Sequence, residues 1–433
     1  MDTGQGRLPV AALVAVAILA GTTTSATAVD LADYGWQAVV QQPAPPPARR
    51  DPALVFDRAR GRLILFGGLG QGGDLDTTWA FDLASSTWSE LAIAPATRPQ
   101  PRHSMVAGLD AERDRVLVST GQGTMFYDDI WSLDLITDTW SEVNAAGGPP
   151  ARRYGSAGGA LNFAGQASPS ALYLSHGFTF AGRFDDAWAF DMATDTWRDA
   201  SPAGPTPIPR CLHAATMIAA GRMVLFGGCG SPAGCPLDDI WLFDESAGTW
   251  TDLSTAGGPS ARTFPALAAT ADGTAVLLFG GDGSGVRNDL WRFDVSAPSW
   301  QLLTPTNPPP ARDGHAMVWV DGAHAVGGCG VLYAFGGDGS SGLRDDLWRL
   351  QPEAAAVIPT IYAVDAAGDV ELSWAHDPSN GGYELWRDTV PDFATAVLLT
   401  EPITISAGTA MVTDTTAPGT GQVYYRVVPL LCP

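Results

Sequence analysis

The sequence predicts an all-β chain whose larger part is one pattern written six times, and three markers kept in phase predict it. The first is a tryptophan behind an acidic residue: Trp79, Trp131, Trp188, Trp241, Trp291 and Trp348, at steps of 52, 57, 53, 50 and 57 residues. Trp88, Trp140, Trp197, Trp250 and Trp300 each follow their partner by nine residues. The second marker is a glycine pair ending an apolar run: Gly67-Gly68, Gly227-Gly228, Gly280-Gly281 and Gly336-Gly337, with Thr120-Gly121 and His176-Gly177 as degenerate copies. The third is an arginine soon after a proline: Arg49, Arg102, Arg152, Arg210, Arg262 and Arg312. Self-similarity at a period of about 50 residues marks a repeat architecture.

Each repeat resolves into four short strands. In the fourth, Cys211 to Ile218 reads as strand one and turns at Ala220-Gly221. Met223 to Phe226 is strand two, ended by two glycines that accept positive φ without a Cβ penalty. Ile240 to Phe243 alternates as strand three, and Thr249-Trp250-Thr251 opens strand four. A four-stranded antiparallel unit repeated at this period describes the blades of a β-propeller.

A Gly-Gly doublet, then a Trp, then a second Trp about nine residues later resembles the kelch repeat, over residues 34 to 351. The resemblance implies a propeller whose first strands line a central channel and whose loop face binds partners. The sixth repeat lacks a recognisable strand four, since Val357 stands where its second tryptophan belongs. Ahead of the first repeat, residues 34 to 40 form an orphan strand, and Trp36 precedes Trp88 by 52 residues, in step with the rest. The expectation is a six-bladed kelch propeller closed by that N-terminal strand, which leaves no edge open. The tryptophans on their fixed spacing are expected in the core.

Strands one and three of a meander run the same way, so the arginines open on the same face as Asp76, Asp128-Asp129, Asp185-Asp186, Asp238-Asp239, Asn288-Asp289 and Asp345-Asp346. Two readings are open. Guanidinium and carboxylate match geometrically, so each pair clips a loop to its blade. Alternatively Arg49, Arg102, Arg152, Arg210, Arg262 and Arg312 form a ring at the channel mouth that binds a ligand. The loops Gly68 to Asp76, Gly228 to Asp238 and Gly337 to Leu343 would shape such a surface. His103, His213 and His315 follow their arginines closely and read as satisfied structural histidines.

Composition narrows the partners. A net charge of −22 repels phosphate backbones and anionic membranes, so nucleic acid and membrane insertion are not expected. Arg7, the apolar run Val10 to Ala20 and Ala26-Thr27-Ala28 read as a secretory signal over residues 1–28. Export makes the five cysteines candidates for disulfides. A local staple between Cys229 and Cys235 is the simplest pairing, with Cys211 leaving others open. From Ile358 the strands Val370 to Trp374, Tyr383 to Arg387 and Val423 to Val428 resemble a fibronectin type III domain over 358–433, either trimmed or ending in a very short strand.

The functional expectation is therefore an exported, non-enzymatic scaffold that binds a protein or glycan through one loop face, without a cofactor or metal. The alternative is a secreted oxidoreductase or carbohydrate-active enzyme similar to the galactose oxidase family. That resemblance asks for a Tyr–Cys crosslink and two His around one metal, and no such pairing emerges among Tyr127, Tyr154, Tyr173 and Tyr333.

Overall fold

The computed structural model describes residues 34–41, 45–161, 171–232, 234–321 and 330–352, and, as backbone, seven strands between 360 and 431. The expected signal segment, Cys329 and Cys432 lie outside the described residues. The chain divides into two compact units, one holding 34–325 and 330–351, the other including 352–433.

In the larger unit the apolar runs pair into five four-stranded and one five-stranded antiparallel sheet among the described residues, with smaller ribbons between them. The second repeat is typical, with Val106–Asp110, Arg115–Ser119, Ile130–Asp134 and Thr139–Glu142 in order. An aspartate closing strand three (Asp82, Asp134, Asp191, Asp244 or Asp294) accepts backbone N–H groups from the turn that follows. That turn fixes the nine-residue tryptophan spacing. The second tryptophan lands opposite the residue two beyond the first: Trp88 opposite Phe81, Trp250 opposite Phe243.

The same tryptophan also packs on the preceding sheet. Ring centroids lie 5.0 Å apart for Trp140 and Phe66, 5.5 Å for Trp300 and Phe226, and 5.4 Å for Trp88 and Phe335. In the third repeat Ser175 replaces the phenylalanine, and His176 supplies the ring, 5.8 Å from Trp250. Trp36 obeys this rule. Its strand, Tyr34–Ala38, pairs with Leu347–Pro352 in the sixth sheet, and its indole lies 5.1 Å from Phe279 of the fifth.

The first strands stand side by side, each beside the next and Ala316–Val320 beside Ala53–Asp57. Their middle residues surround a cavity of about 170 Å³. At one end, six residues in the left-handed region hydrogen-bond in sequence: Ser104 N–H to Asp51 O, Gly155 to Ser104, Leu212 to Gly155, Phe264 to Leu212, Gly314 to Phe264 and Asp51 to Gly314. Leu212 therefore interrupts the strand expected from Cys211 to Ile218. It splits into Arg210–Cys211 and Ala214–Ala219.

The second glycine of each doublet has a reason of its own. Gly68, Gly121, Gly177, Gly228, Gly281 and Gly337 hold φ between 94° and 114° and donate their N–H to the arginine carbonyl of the next repeat, Gly337 to Arg49 included. A Cβ on Gly228 would lie 2.6 Å from Cys211 O. The first position is less demanding, and Thr120 and His176 hold it at φ 63° and 55°.

The smaller unit contains a four-stranded and a three-stranded antiparallel sheet. Thr360–Val364, Val397–Leu399, Thr404–Ser406 and Thr409–Asp414 join the three strands the pattern had suggested. The added strands are short or lack clean alternation.

Candidate binding face around the channel mouth

The arginines are hubs, not a ligand-facing ring. Arg49, Arg102, Arg153, Arg210, Arg262 and Arg312 are buried. In each, Nε donates to the carbonyl two residues earlier, and Nη1 to the carbonyl closing strand two. Five clasp a carboxylate bidentately: Arg102 on Asp129, Arg153 on Asp186, Arg210 on Asp239, Arg262 on Asp289 and Arg312 on Asp346, at 2.5–2.9 Å. The same aspartates accept the indole N–H of Trp131, Trp188, Trp241, Trp291 and Trp348. Burial pushes Asp186, Asp239, Asp289 and Asp346 up, but the guanidinium's hydrogen bonds and charge carry each below the usual carboxylate range.

Arg152 corrects the sequence reading. It is exposed and pairs loosely with Asp128, while Arg153 takes the buried position. The proline spacing pointed to Arg152. The better signal was Gly155, which stands two residues after Arg153 as Gly314 stands after Arg312.

The first repeat departs from the rule. Thr77 occupies the aspartate's place, 3.4 and 3.5 Å from the Arg49 guanidinium nitrogens, and Trp79 Nε1 has no partner among the described residues. Burial lowers Arg49 to about 10, with only the charge of Glu90 opposing. Asp76 faces elsewhere and pairs with Arg98.

The residue after each hub arginine precedes the left-handed ring at the channel end, and sequence reasoning missed this set: Arg50, His103, Tyr154, Cys211, Thr263 and Asp313. Each pairs with the loop that follows strand two, as His103 with Gln122, Tyr154 with Phe178 and Asp313 with Asp338. Two sides of the rim differ. On one, Arg50 lies over the Phe264 ring and reaches Asp51, Asp313 and Asp338. Burial, with Asp51, Asp338 and Asp282 nearby, raises Asp313 to about 6 despite Arg50. On the other, Tyr154 stacks on Phe126 at 5.4 Å and meets Phe178 edge-on, while Phe180 packs on Phe126 and is 89% exposed. Met125 beside them is 53% exposed. His103 joins the two sides, 2.6 Å from Asp74 and edge-on to Tyr154.

His213 and His315 line a second cavity, of about 140 Å³, at the channel end with Ser104, Gly155 and Phe264. They are buried, neither ring nitrogen has a hydrogen-bond partner among the described residues, and burial holds both well below the usual range, His315 near 3. Cys229 and Cys235 are joined by a disulfide, and Cys211 is a buried free thiol. Among the described residues no three His, Cys, Asp or Glu side chains gather to hold a metal.

Comparison with known proteins agrees with this architecture. The KLHDC2/KLHL20/DRC7 Kelch-repeats domain matches residues 21–164 and 165–356. The chain belongs to the kelch-repeat family. It is 30% identical over 237 residues to Adagio protein 3 of Arabidopsis thaliana, covering 51% of this chain and 36% of the relative. It is likewise 30% identical over 234 residues to Adagio-like protein 3 of Oryza sativa subsp. japonica, covering 51% and 36%. With the Rab9 effector protein with kelch motifs of Bos taurus it shares 28% over 175 residues, covering 40% and 45%. This kelch chain thus spans a third to a half of the length of these curated relatives.

Proposed function

We propose that the protein is an exported binding scaffold, a six-bladed kelch propeller closed by residues 34–40, that holds a protein partner on the loop face around the channel mouth. The observation that carries this is the uneven rim. An exposed apolar step, Phe180 on Phe126 and Phe126 on Tyr154 with Met125 next in the chain, stands on the same rim as a crowded acidic group around Arg50. Soluble proteins rarely leave such apolar side chains grouped in water unless a partner covers them. Aromatic anchors beside charged groups are what protein interfaces use. A kelch relative named as an effector protein is in keeping with a protein ligand.

Export rests on the apolar run Val10 to Ala20 and the cleavage pattern Ala26-Thr27-Ala28. The tail after 358 would then serve as a β-sandwich module of fibronectin type III type, following the propeller along the chain. The test is affinity capture from the source organism's extracytoplasmic fraction, using the wild type, the loop-face pair Y154S/F180S and the far-edge variant E142Q. Expected is a partner retained by wild type and E142Q and lost with Y154S/F180S. A partner held equally by all three would overturn the loop-face assignment. A cell-associated chain with an intact N-terminus would overturn export.

A further inference from the structure

We propose that Cys211, Cys229 and Cys235 form a thiol–disulfide exchange site, in which the free thiol of Cys211 displaces Cys235 from Cys229. Independently of any partner, the geometry brings the three together. Cys211 and Cys229 are directly opposed on paired antiparallel strands, Arg210–Cys211 and Arg222–Gly230. Opposed residues in such a ladder have Cα atoms ~4.5–5.5 Å apart, inside the ~4.4–6.8 Å that a disulfide spans. The Cys211 sulfur lies 4.0 Å from the Cys229 carbonyl oxygen, so the thiol already faces its target residue. Cys229 is bonded to Cys235, six residues on, in an exposed loop.

Arg183, from the neighbouring repeat, completes the site. Its Nη2 donates to Cys229 Sγ at 3.1 Å; burial pushes the Cys211 thiol up, and the same guanidinium offsets part of that. A cation on the Cys229 sulfur and near the Cys211 thiol favours the attacking thiolate as it reaches the disulfide. The step balances without an added oxidant. The Cys211 thiolate attacks Cys229 Sγ, a Cys211–Cys229 bond forms, the Cys229–Cys235 bond breaks, and Cys235 leaves as a thiolate that takes up the proton. One disulfide and one thiol persist throughout. The bridge moves from a loop staple to a link across the strands at the channel mouth, and the thiol moves from the interior to the surface.

Cys211 is 3% exposed, so an alkylating reagent cannot report on it directly, whereas Cys235 is reachable once released. The full chain, prepared without reductant, is incubated with N-ethylmaleimide under native conditions, quenched in acid, digested and mapped by mass spectrometry. Expected is time-dependent alkylation of Cys235 together with a Cys211–Cys229 disulfide, abolished in C211S. Replacing the guanidinium in R183M should slow trapping, since it removes the cation that favours the attacking thiolate. Persistence of Cys229–Cys235 with Cys211 labelled only after unfolding would overturn the proposal. So would alkylation of Cys235 that continues unchanged in C211S.

Discussion

Replacing Thr77 by aspartate should stabilise the propeller, and the structure supplies the size of the effect. In five repeats a carboxylate receives two guanidinium N–H groups and an indole N–H, as Asp129 does from Arg102 and Trp131. In the first, the fully buried Arg49 meets only carbonyls and a distant hydroxyl, and Trp79 Nε1 has no partner among the described residues. Burial lowers Arg49 from the ordinary guanidinium range to about 10, which at 1.36 kcal/mol per unit is roughly 3 kcal/mol of uncompensated charge. The carboxylate introduced by T77D would recover part of this, since it must itself be desolvated; its counterparts in the other repeats are 20–32% exposed. Giving the buried indole an acceptor adds ~1 kcal/mol, for a net gain of ~2 kcal/mol.

At ~2.1 cal/mol/K per residue over roughly 300 residues, 2 kcal/mol raises Tm by ~3 °C. Differential scanning calorimetry at pH 7 on wild type, T77D and T77N separates charge from shape, because asparagine keeps the outline but not the charge. A carboxylate paired with Arg49 has a folded pKa below its unfolded value. Its contribution is then present above about pH 4 and lost as pH falls through the folded pKa. A T77D protein that melts at or below wild type, or a T77N protein that matches T77D, would refute the claim that a missing counter-charge limits the first repeat.

Three further outcomes follow from the same structure. His176 and His315 are held near 3 by burial, with Arg210 and Arg312 adding to it, and His213 is lowered as well. The unfolded chain therefore takes up protons that the folded one refuses, and stability falls below about pH 6.5 by ~1.4 kcal/mol per unit for each histidine. Urea melts at pH 7 and pH 5 should show it, with a smaller difference in H315F. Asp313 has the opposite sign: its folded pKa of about 6 exceeds its unfolded value, so it costs stability as pH rises from about 4 to about 6. D313N should gain ~1–2 kcal/mol at pH 7 and nothing at pH 4. Trp36 is 3% exposed against Phe279, so W36A should lose ~3–5 kcal/mol; a loss under about 1 kcal/mol in denaturant melts would mean the N-terminal strand does not close the sheet.

Periodicity made the strands legible, because a repeat that must pack against copies of itself keeps its spacing. Trp36 stands 52 residues before Trp88, within the 50 to 57 that separate the other second tryptophans, and its strand pairs in the sixth sheet. The site was less legible for the same reason. What repeats in this chain is what holds it together: the arginine, its aspartate and the indole between them satisfy one another's donors and charge in the interior. What binds must differ from repeat to repeat, so no periodic signal marks it. The residue one place after each hub arginine is Arg50, His103, Tyr154, Cys211, Thr263 or Asp313, six different side chains on one backbone position. Even Arg152, chosen by its proline, proved to be the neighbour of the hub rather than the hub. The binding surface proposed for this chain therefore lies not on the recurring clip but at the variable residue beside it.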